Sequence, residues 1–189
     1  YMRQESIPEG VGKGIGLMYY DFEHRLQGKA QEAAMALLFL EDQERQMNDP
    51  KMSVYAERFL QLYPETLWQP LVQEAMEKNR AFNQTRIPED IHFPDVSQAK
   101  TFQDIIAPYK GKVIFMDIWA TWCGPCRDSF AFVKPLQEYA QEKDIVLLYL
   151  SIDNPEAEEK WKKMAAHYDL KGEHIRIQEA FKQEIYDTF

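Results

Sequence analysis

The stretch Val113-Ile-Phe-Met-Asp-Ile-Trp-Ala-Thr-Trp-Cys-Gly-Pro-Cys-Arg127 decides the reading of this chain. Val113–Trp119 is apolar apart from Asp117, which predicts a buried central β-strand. Trp122-Cys123-Gly124-Pro125-Cys126 follows. Arg127–Gln141 then reads as a helix with Phe132, Leu136, Tyr139 and Ala140 on one face and a kink expected at Pro135. The cysteine pair therefore lies where a strand ends and a helix begins, the place where open α/β sheets put their chemistry.

That position suits thiol–disulfide exchange. The attacking sulfur must be a stable thiolate near neutral pH and still nucleophilic. Free N–H groups at a helix start favour the anion. Cys123 occupies that start and is the expected nucleophile. Cys126, one helical turn on, can attack the mixed disulfide. Gly124 lets a substrate backbone approach, and Pro125 suits a first helical turn because it has no N–H to leave unpaired. A Cys-x-x-Cys can also be half of a zinc site. Such a site needs further ligands, and these are the only two cysteines. His167 and His174 are seven apart on separate expected elements, so no metal is expected. The four histidines, 24, 92, 167 and 174, read as ordinary surface or interface residues. Asp117, an acid in an apolar strand, should have a raised pKa; it reads either as a proton-transfer group or as a hydrogen-bonded strand residue.

The wider string closely resembles the active-site segment of the thioredoxin superfamily. Its Trp-Ala-Thr-Trp-Cys-Gly-Pro-Cys-Arg core is most similar to the exported, membrane-tethered TlpA/ResA-like thiol–disulfide oxidoreductases. The Gly111-Lys112 lead-in, the Ser151-Ile152-Asp153 strand end and the acidic helix containing Trp161 agree with that branch. The resemblance covers about residues 90–189. Helical segments ahead of such a domain resemble the multidomain versions of Bacteroidetes-type bacteria. The resemblance implies an α/β thioredoxin-like fold, a central sheet with flanking helices, preceded by a small α-helical region. It implies an enzyme that exchanges disulfides with protein partners and an upstream redox partner. No cofactor is expected beyond the redox-active disulfide. Asp117 matches the buried acid of thioredoxin, whose implied role is proton acceptor for Cys126. Trp119 and Trp122 would pack beside the site, and each could equally be core or rim.

The chain also departs from the pattern. Ser129 and Ala131 stand where the exported branch has an acid and a proline. Tyr149 matches the strand lysine of thioredoxin. The family's cis-proline loop, two further strands and last helix are expected beyond Phe189, so the sequence reads as incomplete at its C-terminus.

Working outward, the texture divides the chain into three. Residues 1–28 read poorly. Gly10, Gly12, Gly14 and Gly16 alternate, but Lys13 is followed by Gly14, not by the Ser or Thr of a phosphate-binding loop, so a flexible or turned segment is expected. Residues 29–90 read as a small helical unit and linker. Helices are expected over Gln31–Met47, Met52–Tyr63 and a segment reaching Phe82. Tyr55, Phe59, Leu62 and Tyr63 should share one face, as should Leu67, Leu71 and Ala75. Residues 91–189 read as the α/β domain. Besides the central strand they hold a helix at Thr101–Ala107, a strand at Ile145–Ile152 and a helix at Glu156–Tyr168. An extended piece at His174–Ile177 and a helix at Gln178–Tyr186 complete it. Alternating strands and helices imply parallel pairing.

The totals exclude several classes. The 189 residues carry a net charge of −9, spread along the chain without a basic patch. Nucleic acid is not an expected partner. The longest apolar run, Ala33–Leu40, is too short to span a bilayer. Membrane contact would run only through an N-terminal anchor outside this sequence. The absence of stray thiols fits the periplasm or cell envelope. A second functional class is a redox-sensing or protein-binding module whose helical region is the working surface. Exposure of Tyr55, Phe59, Trp68 and Phe82 would favour it. A pair kept only as a structural disulfide is a third.

Overall fold

The computed structural model of the chain describes residues 14–177 together with 181, 184 and 185. The chain divides into two compact units, Tyr1–Gln84 and Thr85–Phe189.

Among the described residues the first unit contains four helices, α1 (Ile15–Arg25), α2 (Gly28–Glu44), α3 (Met52–Leu62) and α4 (Gln69–Asn83). Ala and Leu supply the helix propensity of α2. Met35, Phe39, Phe59, Val72 and Ala75 are fully buried at its centre. Phe39 and Phe59 meet edge-on at 5.7 Å, a geometry aromatic rings favour. Asp42 is buried and accepts hydrogen bonds from Asn79 Nδ2 at 3.4 Å and the Asp49 N–H at 3.2 Å, tying α2 to α4 and the loop before α3.

Three expectations change here. Helix α1 forms where a flexible or turned segment was read. Gly14 is its N-cap at φ +75°, and a Cβ on the buried Gly16 would come within 2.7 Å of Tyr55 Oη. Part of the alternating glycine run therefore serves a cap and a close helix contact; Gly10 and Gly12 lie outside the described residues. In α4 the buried stripe is Val72, Ala75, Asn79 and Phe82, whose 3-4-3 spacing keeps one face. Leu67 precedes the helix and is 94% exposed, and Leu71 is also exposed. In α3, Leu62 points to solvent while Phe59 is buried and Tyr55 and Tyr63 are partly covered.

In the second unit the described residues form a four-stranded parallel sheet in the order β1-β4-β3-β2. The strands are β1 (Ile91–His92), β2 (Val113–Trp119), β3 (Ile145–Ser151) and β4 (Gly172–Arg176). Crossovers carry α6 (Gly124–Ser129) and α7 (Val133–Lys143) between β2 and β3, and α8 (Glu158–His167) between β3 and β4. A short helix α5 (Phe102–Ile106) precedes β2, started by a capping box in which Thr101 and Asp104 satisfy each other's backbone N–H groups.

One sheet face carries Ile114, Met116, Ile118, Leu148, Leu150, Ile175 and Ile177, packed with Phe102 and Ile105 of α5 and with Phe181 and Ile185. The other face, fixed by side-chain alternation, carries Asp117, Trp119, Tyr149, Ser151 and His174.

Among the described residues β2 pairs with β3 alone. Its apolar run predicted a buried strand, but Val113 and Phe115 are exposed. Strand β1 was not expected, because two residues are too short to show a period. The expected helix across Pro135 is instead two helices with a 3-10 turn at Phe130–Phe132 between them. The proline ring conflicts with the carbonyl four residues back, at Ala131. The break falls there, and Pro135 enters the first turn of α7. The helix expected at Gln178–Tyr186 lies largely outside the described residues.

Candidate active site

Cys123 is the N-cap of α6, in extended conformation at φ −80°, ψ 96°. It is joined to Cys126 by a disulfide with a Cα–Cα distance of 5.3 Å. The Cys126 N–H donates to Cys123 Sγ at 3.3 Å, so the first turn directs a backbone donor at the N-terminal sulfur. The Cys123 N–H donates to Ala120 O at 3.0 Å, and its carbonyl accepts from the Arg127 N–H at 3.2 Å. Pro125 occupies the first turn, where no N–H is required. Gly124 leaves open surface: a Cβ there would meet nothing nearer than the Arg127 guanidinium at 3.9 Å.

The two tryptophans separate cleanly. Trp119 is 1% exposed and meets Phe130 edge-on at 5.2 Å, a contact that packs the end of β2 under the segment following α6. Trp122 is 66% exposed beside the cysteines.

Asp117 is half-buried on the same face of β2 as Trp119. Burial raises its carboxyl pKa. Tyr149 stands opposite it in register on β3, and His174 stands opposite Tyr149 on β4. The Tyr149 hydroxyl is pushed up to about 12, first by burial and then by the nearby Asp117 charge. The His174 ring stacks on Tyr149 at 4.8 Å and 13°. Its Nε2 lies 2.6 Å from Leu170 O; a carbonyl only accepts, so this nitrogen carries the proton. Burial lowers the His174 pKa to about 4, which keeps the ring neutral at pH 7. Three titratable side chains thus run across one sheet face.

A second polar group lies at the strand ends. Asp153, 2% exposed, accepts from the Thr121 N–H at 2.9 Å, from Thr121 Oγ1 at 2.7 Å and from Ser151 Oγ at 2.8 Å. Sequence reading noted the Ser-Ile-Asp strand end but gave neither Asp153 nor Thr121 a part. The available signal was an acid closing an apolar strand. Among the described residues no group of three or more His, Cys, Asp or Glu side chains is arranged to hold a metal. No described helix is long and apolar enough to cross a membrane.

Residues 82–178, just over half of the chain, match the family model described as Redoxin. The chain belongs to the Redoxin family. It is 36% identical over 62 residues to a thiol-disulfide oxidoreductase ResA of Bacillus cereus, covering 33% of this chain and 35% of that one. It is 30% identical over 70 residues to thioredoxin-1 of Caenorhabditis elegans, covering 37% and 54%. A candidate thiol-disulfide oxidoreductase from Bacteroides vulgatus, known from its solution structure, is 36% identical at a TM-score of 0.36. That match covers 43% of this chain and 51% of the other. This redoxin-family chain spans about a third of the length of the ResA protein it matches. The sequence relatives agree with the thioredoxin-superfamily, TlpA/ResA-like resemblance, and the parallel sheet with flanking helices agrees with the expected fold.

The geometry brings Cys123, Gly124, Pro125 and Cys126 into one turn, with Trp122 exposed next to it. Trp119 and Asp117 sit on the strand that leads into that turn. Opened by reduction, the arrangement offers one sulfur aimed at by a backbone donor and a second sulfur three residues away.

Proposed function

We propose that this chain is a thiol–disulfide oxidoreductase that reduces disulfides in protein partners through Cys123 and Cys126. The observation that carries the reading is the Cys126 N–H directed at Cys123 Sγ, in a chain of the Redoxin family.

In the reduced protein the Cys123 thiolate attacks one sulfur of a substrate disulfide. That S–S bond breaks, the second substrate sulfur leaves as a thiolate and takes up a proton, and a mixed disulfide remains on Cys123. Cys126 then loses its proton to Asp117 and attacks Cys123 Sγ. The Cys123–Cys126 bond forms, and the first substrate sulfur leaves as a thiol. Two electrons have passed to the substrate. An upstream dithiol reverses the steps to restore the pair. Asp117 suits the transfer because a half-buried carboxyl with a raised pKa accepts and returns a proton nearer neutrality than a solvated one. Trp122 and the open surface at Gly124 form the contact with the partner.

The Gly-Pro dipeptide supports the reducing direction. Thioredoxin carries the same pair, with a potential of about −270 mV. We assign the exchange chemistry to residues 91–189 and treat residues 29–90 as a separate helical region. Confinement of both thiols to the motif supports action in the cell envelope.

The binding-module alternative needs exposed aromatic residues in the helical region. Phe59 and Phe82 are buried, and Tyr55 and Trp68 are packed against the core. Those residues give it no support.

The test is a redox titration of the pair, with the Cys123 thiol pKa followed by alkylation rate. A reducing potential with a pKa near 7 or below supports the proposal. A strongly oxidising potential, about −120 mV, would make the chain a disulfide donor. An unperturbed thiol with a pKa of about 8.5 would leave a structural disulfide.

A further inference from the structure

We propose that Asp153 is a positioning residue for the Cys123–Cys126 pair, acting through Thr121 to hold the turn that presents Cys123. The proposal rests on the exchange reading above.

The clamp is closed and dry. Thr121, Ser151 and Asp153 are 3%, 0% and 2% exposed. Both oxygens of Asp153 are used: Oδ1 accepts from the Thr121 hydroxyl, and Oδ2 accepts from the Thr121 N–H and the Ser151 hydroxyl. Ser151 Oγ accepts in turn from the Asp153 N–H at 3.1 Å. A buried acid is expensive to desolvate and persists only with its acceptor sites filled. Here two of the three donors come from Thr121, which lies two before the nucleophile and 32 positions away in sequence.

Two further ties fix the same segment. The Ile152 N–H donates to Trp119 O at 3.0 Å. On the other side the Arg127 guanidinium donates to Thr121 O at 3.4 Å. Residues 119–121 are therefore pinned to the end of β3 and to the end of α6. Cys123 follows directly, its N–H bound to Ala120 O.

The functional consequence concerns the reduced state. When the disulfide opens, its covalent restraint on Cys123 disappears. The Asp153 clamp contains no cysteine, so reduction does not break it. It keeps Cys123 Sγ under the Cys126 N–H after the bond is gone, which is when the thiolate must be stabilised and aimed. Small misplacements of a reacting atom are costly: about 1 Å can lower a rate on the order of a hundredfold.

Charge and position have opposite signatures at this site. A negative Asp153 acting by its field alone would raise the Cys123 pKa, and Asp153→Asn would lower it. A clamp acting by position keeps that pKa low, and loosening it raises the value.

The experiment compares Thr121→Val with Thr121→Ser on the whole chain. Valine keeps the shape and removes the hydroxyl; serine keeps the hydroxyl. Thiol pKa, rate of attack on 5,5′-dithiobis-(2-nitrobenzoate), redox potential and melting temperature are measured together. Thr121→Val should raise the Cys123 pKa, slow attack about tenfold and shift the potential to a more reducing value, because the thiolate of the reduced form is less stabilised. Thr121→Ser should stay within about twofold of the native rate. A reactive native pair whose pKa and rate are equal in both variants, with only the melting temperature changed, overturns this proposal alone. So does a lowered pKa in Asp153→Asn. A native pair that shows no thiolate at neutral pH and no reaction overturns the exchange reading and this proposal with it. Should Thr121→Val not fold, amide hydrogen exchange in the native protein decides. Protection of the Thr121 N–H in both redox states supports the clamp, and unprotected exchange in the reduced state overturns it.

Discussion

Asp117 and Tyr149 face each other in register across the β2–β3 pair, on the sheet face that also carries Trp119. Burial raises the pKa of both groups, so this face favours the uncharged carboxyl and the uncharged phenol.

The first prediction follows from the sign of that shift. The folded pKa of Asp117 lies above its unfolded value. Its contribution to stability is full below the unfolded carboxyl pKa and is lost as pH rises through the folded one. The native protein should lose stability over that interval more steeply than Asp117→Asn. Melting temperatures in a pH series check this. The same variant should slow resolution of the mixed disulfide while leaving the initial attack by Cys123 near its native rate, as read by stopped-flow alkylation and single-turnover reduction.

His174 bears on the opposite limb. Its folded pKa is lowered to about 4, so the stability it contributes is present above the unfolded histidine pKa and drains as pH falls from about 6.5 towards 4. The drop over that window is about 3 kcal/mol at most. His174→Phe retains a ring against Tyr149 and Phe93 and removes the titration. Urea unfolding at about pH 7 and about pH 4.5 should give a smaller difference for the variant than for the native chain.

The two tryptophans should respond differently. Trp119→Ala removes a buried ring packed on Phe130 and should cost about 3–5 kcal/mol in urea unfolding. Trp122→Ala removes an exposed side chain, and its stability should stay within about 0.5 kcal/mol of native. Its effect should fall on KM for a protein disulfide, with the rate towards a small aromatic disulfide unchanged.

Gly172 tests how β4 is seated against β3. It has φ +131°, and a Cβ there would lie 2.6 Å from Leu147 O. Gly172→Ala therefore combines an unfavourable backbone conformation with a clash against backbone, and should destabilise by roughly 1–3 kcal/mol. Equilibrium unfolding followed by tryptophan fluorescence checks the loss.

Much of the fold was legible in the sequence because the signals were local. Strand β2 runs over Val113–Trp119, the span of its apolar run. Misreadings arose where a local pattern competed with a contact made elsewhere. The buried stripe of α4 is Val72, Ala75, Asn79 and Phe82 rather than one through Leu67, Leu71 and Ala75, because the face that packs is chosen by the core and not by the helix. Helix α1 was missed because glycine lowers helix propensity, and only Tyr55, from α3, explains why Gly16 must be small.

The sequence by itself determined that a Cys-Gly-Pro-Cys pair follows an apolar strand and opens a helix, since strand period, proline placement and helix start act within a few residues. Tertiary structure alone decided the order β1-β4-β3-β2, the row Asp117–Tyr149–His174, and the closure of Asp153 on Thr121. Those depend on which strands lie side by side and in what register, a choice made by burying the whole sheet at once. No window of neighbouring residues contains it.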